Sequence, residues 1–267
     1  MKNFTIYGNP VSHSKSPQMH NAGFKQIDFD GNYTKTHLEN GNDIKNNFLS
    51  NNIQGANITV PHKEDAFKNA DNIIGLANDI GAVNTYINKD GKLEAHNTDA
   101  PGFMKAIEEF QNIKSIKTAI ILGAGGTAKA IAVAFKEKGI ETTIVNRSEN
   151  RLQFFQNLNC TTYSWDNFKL NNPYDLVVNS TSAGLKDDNY PAPLEILEKI
   201  LDNSNFAIDC IYGKKTPFLK LAEQKNLKFK DGEDMLLYQG VLAFELFTGI
   251  KADNKVVEAM RRGLKSS

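Results

Sequence analysis

Cysteine is nearly missing from this chain. Only Cys160 and Cys210 occur in 267 residues; they have no metal-ligand spacing and are expected as reduced packing residues, with no metal site. An excess of one charge is missing too: 31 Lys and Arg balance 31 Asp and Glu. With no basic block along the chain, nucleic acid and membrane surfaces are excluded as partners. No apolar run approaches the roughly 18 residues of a membrane span. Met1-Lys2-Asn3-Phe4 runs directly into a strand-like segment, so no signal peptide is expected. Internal repeats are absent, and low complexity is limited to asparagine-rich loops. These absences predict a soluble, cytoplasmic protein. The remainder is ordinary, with 40% hydrophobic and 23% charged residues, enough for sizeable cores. The length exceeds the roughly 100–200 residues of one domain, so two domains are expected.

The stretch Thr118–Lys138 carries the strongest signal. A short apolar run, Ala119–Leu122, ends in Gly123-Ala124-Gly125-Gly126-Thr127-Ala128, a G-x-G-x-x-A pattern. Ala130, Ile131, Ala134 and Phe135 then recur at helical spacing, and Gly139 can end that helix. Strand, glycine turn and helix together are the context a dinucleotide fingerprint requires; without them the glycines would mark an ordinary turn. The first glycine permits the tight turn, the second lets the backbone approach a pyrophosphate, and Ala128 permits close helix–strand packing. The helix N-terminus offers N–H groups and a positive dipole end to phosphate.

The next strand of this unit, Thr142–Val145, ends in Asn146-Arg147-Ser148. A cofactor with a free ribose 2′-hydroxyl usually meets an acid about 20 residues past the glycines. Here an arginine stands instead, suited to a 2′-phosphate that an acid would repel. Read alone, Arg147 is a solvated charge; at this strand end it predicts NADP(H). Further strands follow at Leu176–Asn179, running into Ser180-Thr181-Ser182-Ala183-Gly184, at Phe206–Asp209 and at Lys228–Lys230. Thr216-Pro217 opens a helix.

Before this unit, Phe4–Tyr7 and Tyr33–Thr36 read as strands and Asp43–Leu49 as a short helix. The turn Val11-Ser12-His13-Ser14-Lys15-Ser16-Pro17 reads two ways. It is a capped turn with Ser16 as N-cap and Pro17 at the first helical position, or a seat for a polyol or carboxylate. Asn57 and Thr59 sit on a strand end that Pro61 closes, which puts His62 and Lys63 at a strand-to-helix corner where open α/β sheets bind ligands. A lone lysine there is also compatible with a solvated helix start. A hairpin is expected over Tyr86–Asn88 and Leu93–Ala95, turning at Asp90-Gly91. It leads through Asn97-Thr98-Asp99 to a helix over Gly102–Phe110. Asp99 either caps that helix or pairs with Lys63. Helices are expected over Gly232–Phe247 and Asp253–Leu264, with apolar faces that need a partner.

These motifs, in this order, resemble the shikimate dehydrogenase family along nearly the whole chain. Gly8-Asn9-Pro10 with His13-Ser14-Lys15-Ser16-Pro17, the run Asn57–Lys63, Gly81-Ala82-Val83-Asn84-Thr85 and Asn97-Thr98-Asp99 are similar to its substrate-domain signatures. Gly123–Ala130, Asn146-Arg147-Ser148 and Asn179-Ser180-Thr181 are similar to its cofactor-domain signatures, and Gly232–Gly249 to its closing helix. The resemblance implies an α/β fold of two domains. One is an N-terminal α/β substrate domain (residues 1–100 plus 233–267, the last helices returning to it) and the other a Rossmann-type NADP-binding domain (101–232).

The resemblance also implies reversible NADPH-dependent reduction of 3-dehydroshikimate to shikimate, in aromatic amino acid biosynthesis. Lys63 and Asp99 would be the catalytic pair. Ser14 and Ser16 would hold the substrate carboxylate, and Asn57, Thr59, Asn84, Asp99 and Gln239 the ring hydroxyls, with Tyr212 also at the substrate. Gly123, Ala124, Gly125, Gly126, Thr127, Ala128, Asn146, Arg147 and Ser148 would surround the NADP phosphates, and Thr181, Ile211 and Gly232 the nicotinamide. Partners would be the small-molecule substrate and cofactor, with the chain a monomer or homodimer. Ser148 departs from a commoner threonine, and His96 and Gly213 from the residues expected there. Hydride addition to a ketone creates an alkoxide that needs a proton donor and positive charge. Lys63 can supply both, and which matters more stays open. Rival readings are a quinate/shikimate dehydrogenase that also uses NAD, an amino acid or folate dehydrogenase, and a catalytically silent NADP sensor.

Overall fold

The structure, a computed structural model, describes residues 1–110 and 115–266. In chain order the elements begin with β1 (Lys2–Gly8), α1 (Ser16–Gln26), β2 (Gly31–His37), α2 (Ile44–Ser50), β3 (Ile53–Ile58) and α3 (Lys63–Asn69). Next come β4 (Asn72–Ile73), α4 (Ala77–Ile80), β5 (Thr85–Lys89), β6 (Lys92–His96) and α5 (Asp99–Phe110). The middle of the chain holds β7 (Thr118–Leu122), α6 (Gly126–Glu137), β8 (Glu141–Asn146), α7 (Gln153–Asn157), β9 (Thr161–Ser164) and β10 (Tyr174–Asn179). Then follow α8 (Leu194–Asp202), β11 (Ser204–Asp209), α9 (Pro217–Gln224) and β12 (Lys228–Lys230), and the chain ends with α10 (Glu233–Thr248) and α11 (Asn254–Lys265). The elements form two compact units, Met1–Gly102 with Leu237–Ser267, and Phe103–Leu236.

The first unit is built on a six-stranded sheet of order β2-β1-β3-β5-β6-β4. β1 runs parallel to both β2 and β3, whereas β3, β5 and β6 pair antiparallel. The β5–β6 turn suits Asp90-Gly91 because both residues take positive φ, 53° and 82°, as tight hairpins demand. Side chains alternate across β1. Tyr7 packs in a cluster with Ile44, Phe48, Ile58 and Ala66, while Phe4 packs at a tilt between Phe24 and Phe247 from α1 and α10. α11 lies along α1, with Gly263 so close to the Gln18 carbonyl that a side chain there would collide with backbone. The apolar faces of the C-terminal helices thus find their partner in this unit, with Val256 and Met260 buried.

The second unit holds a six-stranded, all-parallel sheet of order β12-β11-β10-β7-β8-β9. Numbered from its own first strand, that order is 6-5-4-1-2-3, the doubly wound dinucleotide-binding arrangement. β7 and β10 each carry a buried apolar run, Ala119–Leu122 and Leu176–Val178, because helices cover both faces of such a sheet. Their side chains join Leu197 and Leu201 of α8 and Phe218 and Leu219 of α9 in one buried core. The α/β class and the Rossmann topology match what the sequence implied.

Two local expectations are corrected. Ser16 is the first residue of α1 rather than its N-cap, which is Lys15. α5 begins three residues before the expected Gly102. β9 and α8 are elements that the sequence pattern does not announce.

Candidate active site

In the first unit, polar side chains gather where strands end and helices begin. The chain leaves β3 at Ile58 and enters α3 at Lys63. The buried His62 secures that corner by donating Nε2–H to the Leu38 carbonyl at 2.6 Å. Lys63 then reaches Asp99, Nζ to Oδ2 2.5 Å, in a pair whose side chains are only 13% and 7% exposed.

Asp99 is available for this pairing because another residue caps α5. The Asn97 Oδ1 accepts the N–H groups of Asp99 and Ala100 at 3.1 and 3.3 Å, and its Nδ2 donates to the Ala82 carbonyl at 2.9 Å. Of the two roles open to Asp99 in the sequence, the structure gives it the charge partner and gives the cap to Asn97.

Asn84 binds the cluster together. Its Nδ2 donates to Asp99 Oδ1 and Thr98 Oγ1, both at 2.9 Å, and approaches Gln239 Oε1 at 3.3 Å. Its Oδ1 accepts the Thr98 N–H at 2.8 Å and the Thr85 hydroxyl at 3.1 Å. Asn57 stands opposite Thr85 in the β3–β5 register, and its Nδ2 donates to Thr85 Oγ1 and to the Asn84 carbonyl. Lys63, Asp99, Asn84, Gln239 and Asn57 therefore form one buried network, drawn from both ends of the sequence. Ser14 and Ser16 form a second small group at the start of α1: the Ser14 hydroxyl donates to Ser16 Oγ at 3.2 Å and accepts the Ser16 N–H. Thr59 is half-buried, its methyl against Gly8.

In the second unit the glycine turn fits a dinucleotide pyrophosphate. Gly123 takes φ +104°, with Ser180 and Thr181 side-chain atoms 2.9 Å from where a Cβ would stand. Gly125 is the N-cap of α6, and a Cβ there would meet nothing within 4 Å. Gly126, Thr127 and Ala128 are the first three residues of α6, whose N–H groups lack helical partners. Ala128 is fully buried and Ala124 nearly so. The Ser180 hydroxyl and N–H both donate to the Leu122 carbonyl, at 2.7 and 3.0 Å. They hold the ends of β10 and β7 together at the point where strand order reverses, which is where such sheets bind ligands.

At the end of β8, the Asn146 amide donates to the Ser148 carbonyl and the Ser148 hydroxyl to Asn150, each at 2.8 Å. This leaves Arg147 exposed on a shaped loop. Arg151, in the next 3-10 turn and also exposed, is a second cation that sequence reasoning missed; its signal was its place four residues past Arg147. Thr181 is anchored through Asn179 Oδ1, which accepts its N–H and hydroxyl at 3.0 and 2.8 Å. Asn179 in turn donates to Asp209. Gly232 donates its N–H to the Ile211 carbonyl and lies against the Cys210 backbone, which leaves no room for a side chain. Tyr212, assigned to substrate by the resemblance, belongs to this unit, in the loop after β11.

Asp209 was not singled out in the sequence. It is fully buried and accepts from Thr216 Oγ1 at 2.6 Å, Ile211 N–H at 2.9 Å and Asn179 Nδ2 at 3.1 Å. Burial outweighs these bonds and pushes its pKa up to about 6. A carboxyl that holds its proton more tightly when folded stabilises the fold at low pH, and that stability is lost as pH rises from about 4 to about 6. A rise of this size corresponds to about 3 kcal/mol. Asp209→Asn cannot ionise, so its melting temperature minus that of wild type should rise by several degrees between pH 4 and 6.5, then stay level. Thermal melts across that range check this; a constant difference would count against it.

A Rossmann sheet with an intact glycine turn, joined to a second α/β unit bearing a buried lysine–carboxylate pair, defines a two-unit dinucleotide-binding protein. Family models match in two places: the shikimate dehydrogenase substrate binding domain over residues 6–86, and the shikimate 5'-dehydrogenase C-terminal domain over residues 232–264. A shikimate dehydrogenase (NADP(+)) of Helicobacter hepaticus is 43% identical over 97% of this chain and 95% of that protein. Its counterpart in Helicobacter pylori strain P12 is 41% identical over 98% of both. The crystal structure of shikimate 5-dehydrogenase from Thermus thermophilus, in complex with NADP(H) and shikimate, superposes with a TM-score of 0.85 at 33% identity, over 98% of this chain and all of that one. The chain belongs to the shikimate dehydrogenase family. Among the described residues no helix is long and apolar enough to cross a membrane.

Proposed function

We propose that this chain catalyses the reversible NADPH-dependent reduction of 3-dehydroshikimate to shikimate, with Lys63 and Asp99 as the catalytic pair. The relatives' identity over nearly the full length supports the reaction. The observation that carries the residue assignment is the Lys63–Asp99 ion pair, held in an amide network with acceptors and donors suited to a polyhydroxylated ring. When bound, the dinucleotide supplies or receives the hydride. Lys63 gives the carbonyl oxygen a proton or a positive charge as it becomes an alkoxide, and takes the proton back in the reverse direction. Asp99 holds that ammonium in place through one oxygen while Asn84 fixes the other. Ser14 and Ser16 seat the substrate carboxylate at the N-terminus of α1, where the helix dipole favours an anion. Asn57, Thr59, Asn84, Gln239 and Tyr212 complete the substrate contacts.

On the cofactor side, Gly123–Ala128 cradle the pyrophosphate, Asn146, Arg147 and Ser148 take the 2′-phosphate, and Thr181, Ile211 and Gly232 flank the nicotinamide. The partners are these two small molecules, the compartment is the cytoplasm, and the working form is a monomer or homodimer. Nicotinamide absorbance with shikimate or quinate, each with NADP or NAD, tests the reading. Rapid reduction only with shikimate and NADP is expected. Fast turnover of quinate or NAD would instead mark a dual-specificity enzyme, and NADPH binding without any turnover a sensor.

Arg147→Ala is expected to raise the KM for NADP ten- to a hundredfold, about 1.5–3 kcal/mol for a lost charge-assisted bond. Rates with NAD and the KM for shikimate should barely move. An unchanged KM for NADP would remove Arg147 from the phosphate site.

A further inference from the structure

Tyr33 and His20 have no part in the chemistry proposed so far. Tyr33 lies on β2, and its buried phenol spans the width of β1 to donate to Asn57 Oδ1 at 2.7 Å. Burial holds its hydroxyl well above the usual phenol range, so it remains a donor. His20 of α1 stacks flat on the Tyr33 ring, centroids 4.4 Å apart and planes within 4°, with Phe247 5.4 Å to another side. It is completely buried, and burial pushes its pKa down to about 3, so the ring is neutral. Among the described residues neither ring nitrogen makes a hydrogen bond.

The hydrogen bonds around Asn57 fix the direction of its amide. Its Nδ2 donates to the Asn84 carbonyl at 3.2 Å and to Thr85 Oγ1 at 3.1 Å, which uses both amide protons. The Asn84 carbonyl can only accept, so a flipped amide would set oxygen against oxygen. Oδ1 must therefore face Tyr33, whose hydroxyl takes one of its two lone pairs. The second accepts no bond of hydrogen-bond geometry among the described residues, although the His20 ring stands beside Asn57. The geometry points to Tyr33 as a positioning residue that presents Asn57 to the substrate as an acceptor only, with His20 as the plate that sets the phenol's angle. This position of the site then takes a hydroxyl that donates. A ketone, ether or fluoride there would meet lone pair with lone pair, so the network distinguishes a polyol carrying a free hydroxyl from an analogue oxidised or masked at that carbon. The inference rests on Asn57 being a substrate contact, as proposed above.

Steady-state kinetics and thermal melts of Tyr33→Phe, Asn57→Ala and the double variant test it. Tyr33→Phe should raise the KM for shikimate about tenfold and leave the KM for NADP unchanged. The double variant should be no worse than Asn57→Ala alone, because Tyr33 acts through Asn57. His20→Phe, which keeps a flat ring, should stay within about twofold of wild type, whereas His20→Ala should behave like Tyr33→Phe. Shikimate analogues with each non-reacting hydroxyl replaced in turn by fluorine supply the last arm: one of them should lose as much with wild type as shikimate loses with Asn57→Ala. Multiplying effects of Tyr33→Phe and Asn57→Ala would overturn the proposal, as would a lowered melting temperature with KM unmoved. An Asn57→Ala enzyme with wild-type KM for shikimate would instead strike the substrate assignment of Asn57 itself.

Discussion

Lys63→Ala lowers kcat by about a thousandfold, about 4 kcal/mol of barrier, and leaves NADPH affinity within about twofold. The size follows from what the lysine has to do. Hydride transfer to a ketone places a full negative charge on oxygen, and a positioned acid or cation in a partly dry site is the largest single means of stabilising it. At 13% exposure, paired at 2.5 Å with a carboxylate that is itself 7% exposed, the Lys63 ammonium is held in one place before substrate arrives. Water reaching the gap left by alanine cannot reproduce this. The glycine turn belongs to the other unit, so cofactor affinity should be spared. The variant also leaves Asp99 buried with Asn84 as its remaining bonded side chain, which costs stability. Melting temperature is therefore recorded beside kcat, and Lys63→Met keeps more of the packing. Fluorescence titration with NADPH and initial rates with shikimate check the split. Loss of NADPH affinity with turnover intact would refute the catalytic assignment.

How much of this was legible in the sequence varied with the physical signal. β7 and α6 were readable because an unbroken apolar run, two functional glycines and a 3.6-residue repeat coincide within one short stretch. The hairpin was readable because Asp90-Gly91 is a turn that few other dipeptides make. β9 was not, since Thr161-Thr162-Tyr163-Ser164 is an edge strand with only its last residue buried, so no alternation marks it. α8 is amphipathic, but it follows a loop rich in proline and aspartate that hides its start. At the site, residue types were legible while their pairings were not. Lys63 and Asp99 are 36 positions apart, and only the β3-β5-β6 pairing brings them together. The choice between cap and ion pair for Asp99 depended on whether Asn97 turned its side chain back to the helix. Tyr33 read as one more strand aromatic, because its hydroxyl's destination two strands away leaves no trace in local sequence. Asp209 likewise looked like an ordinary strand end.

Gly125→Val should separate folding from cofactor binding. Gly125 has φ −89° and ψ −174°, extended backbone that any residue adopts, and an added Cβ meets no atom within 4 Å. The folded chain meets no clash and loses only the difference between glycine and valine as N-cap, so the melting temperature should fall by no more than about 2–4 °C. The open space is nonetheless where a pyrophosphate must lie to reach the N–H groups that begin α6. An isopropyl group standing there should weaken NADPH binding by more than a hundredfold, about 3 kcal/mol. Gly123→Ala provides the contrast. At φ +104°, with Ser180 and Thr181 atoms at 2.9 Å, it is strained and crowded whether or not a cofactor binds, so it should lose stability as well. Calorimetry with NADPH and thermal melts on both variants distinguish the cases. If Gly125→Val bound NADPH like wild type, the glycine turn would be a structural feature alone and the cofactor's phosphates would have to sit elsewhere. If it bound NADPH weakly while melting within that range of wild type, the space above Gly125 would be the pyrophosphate's own.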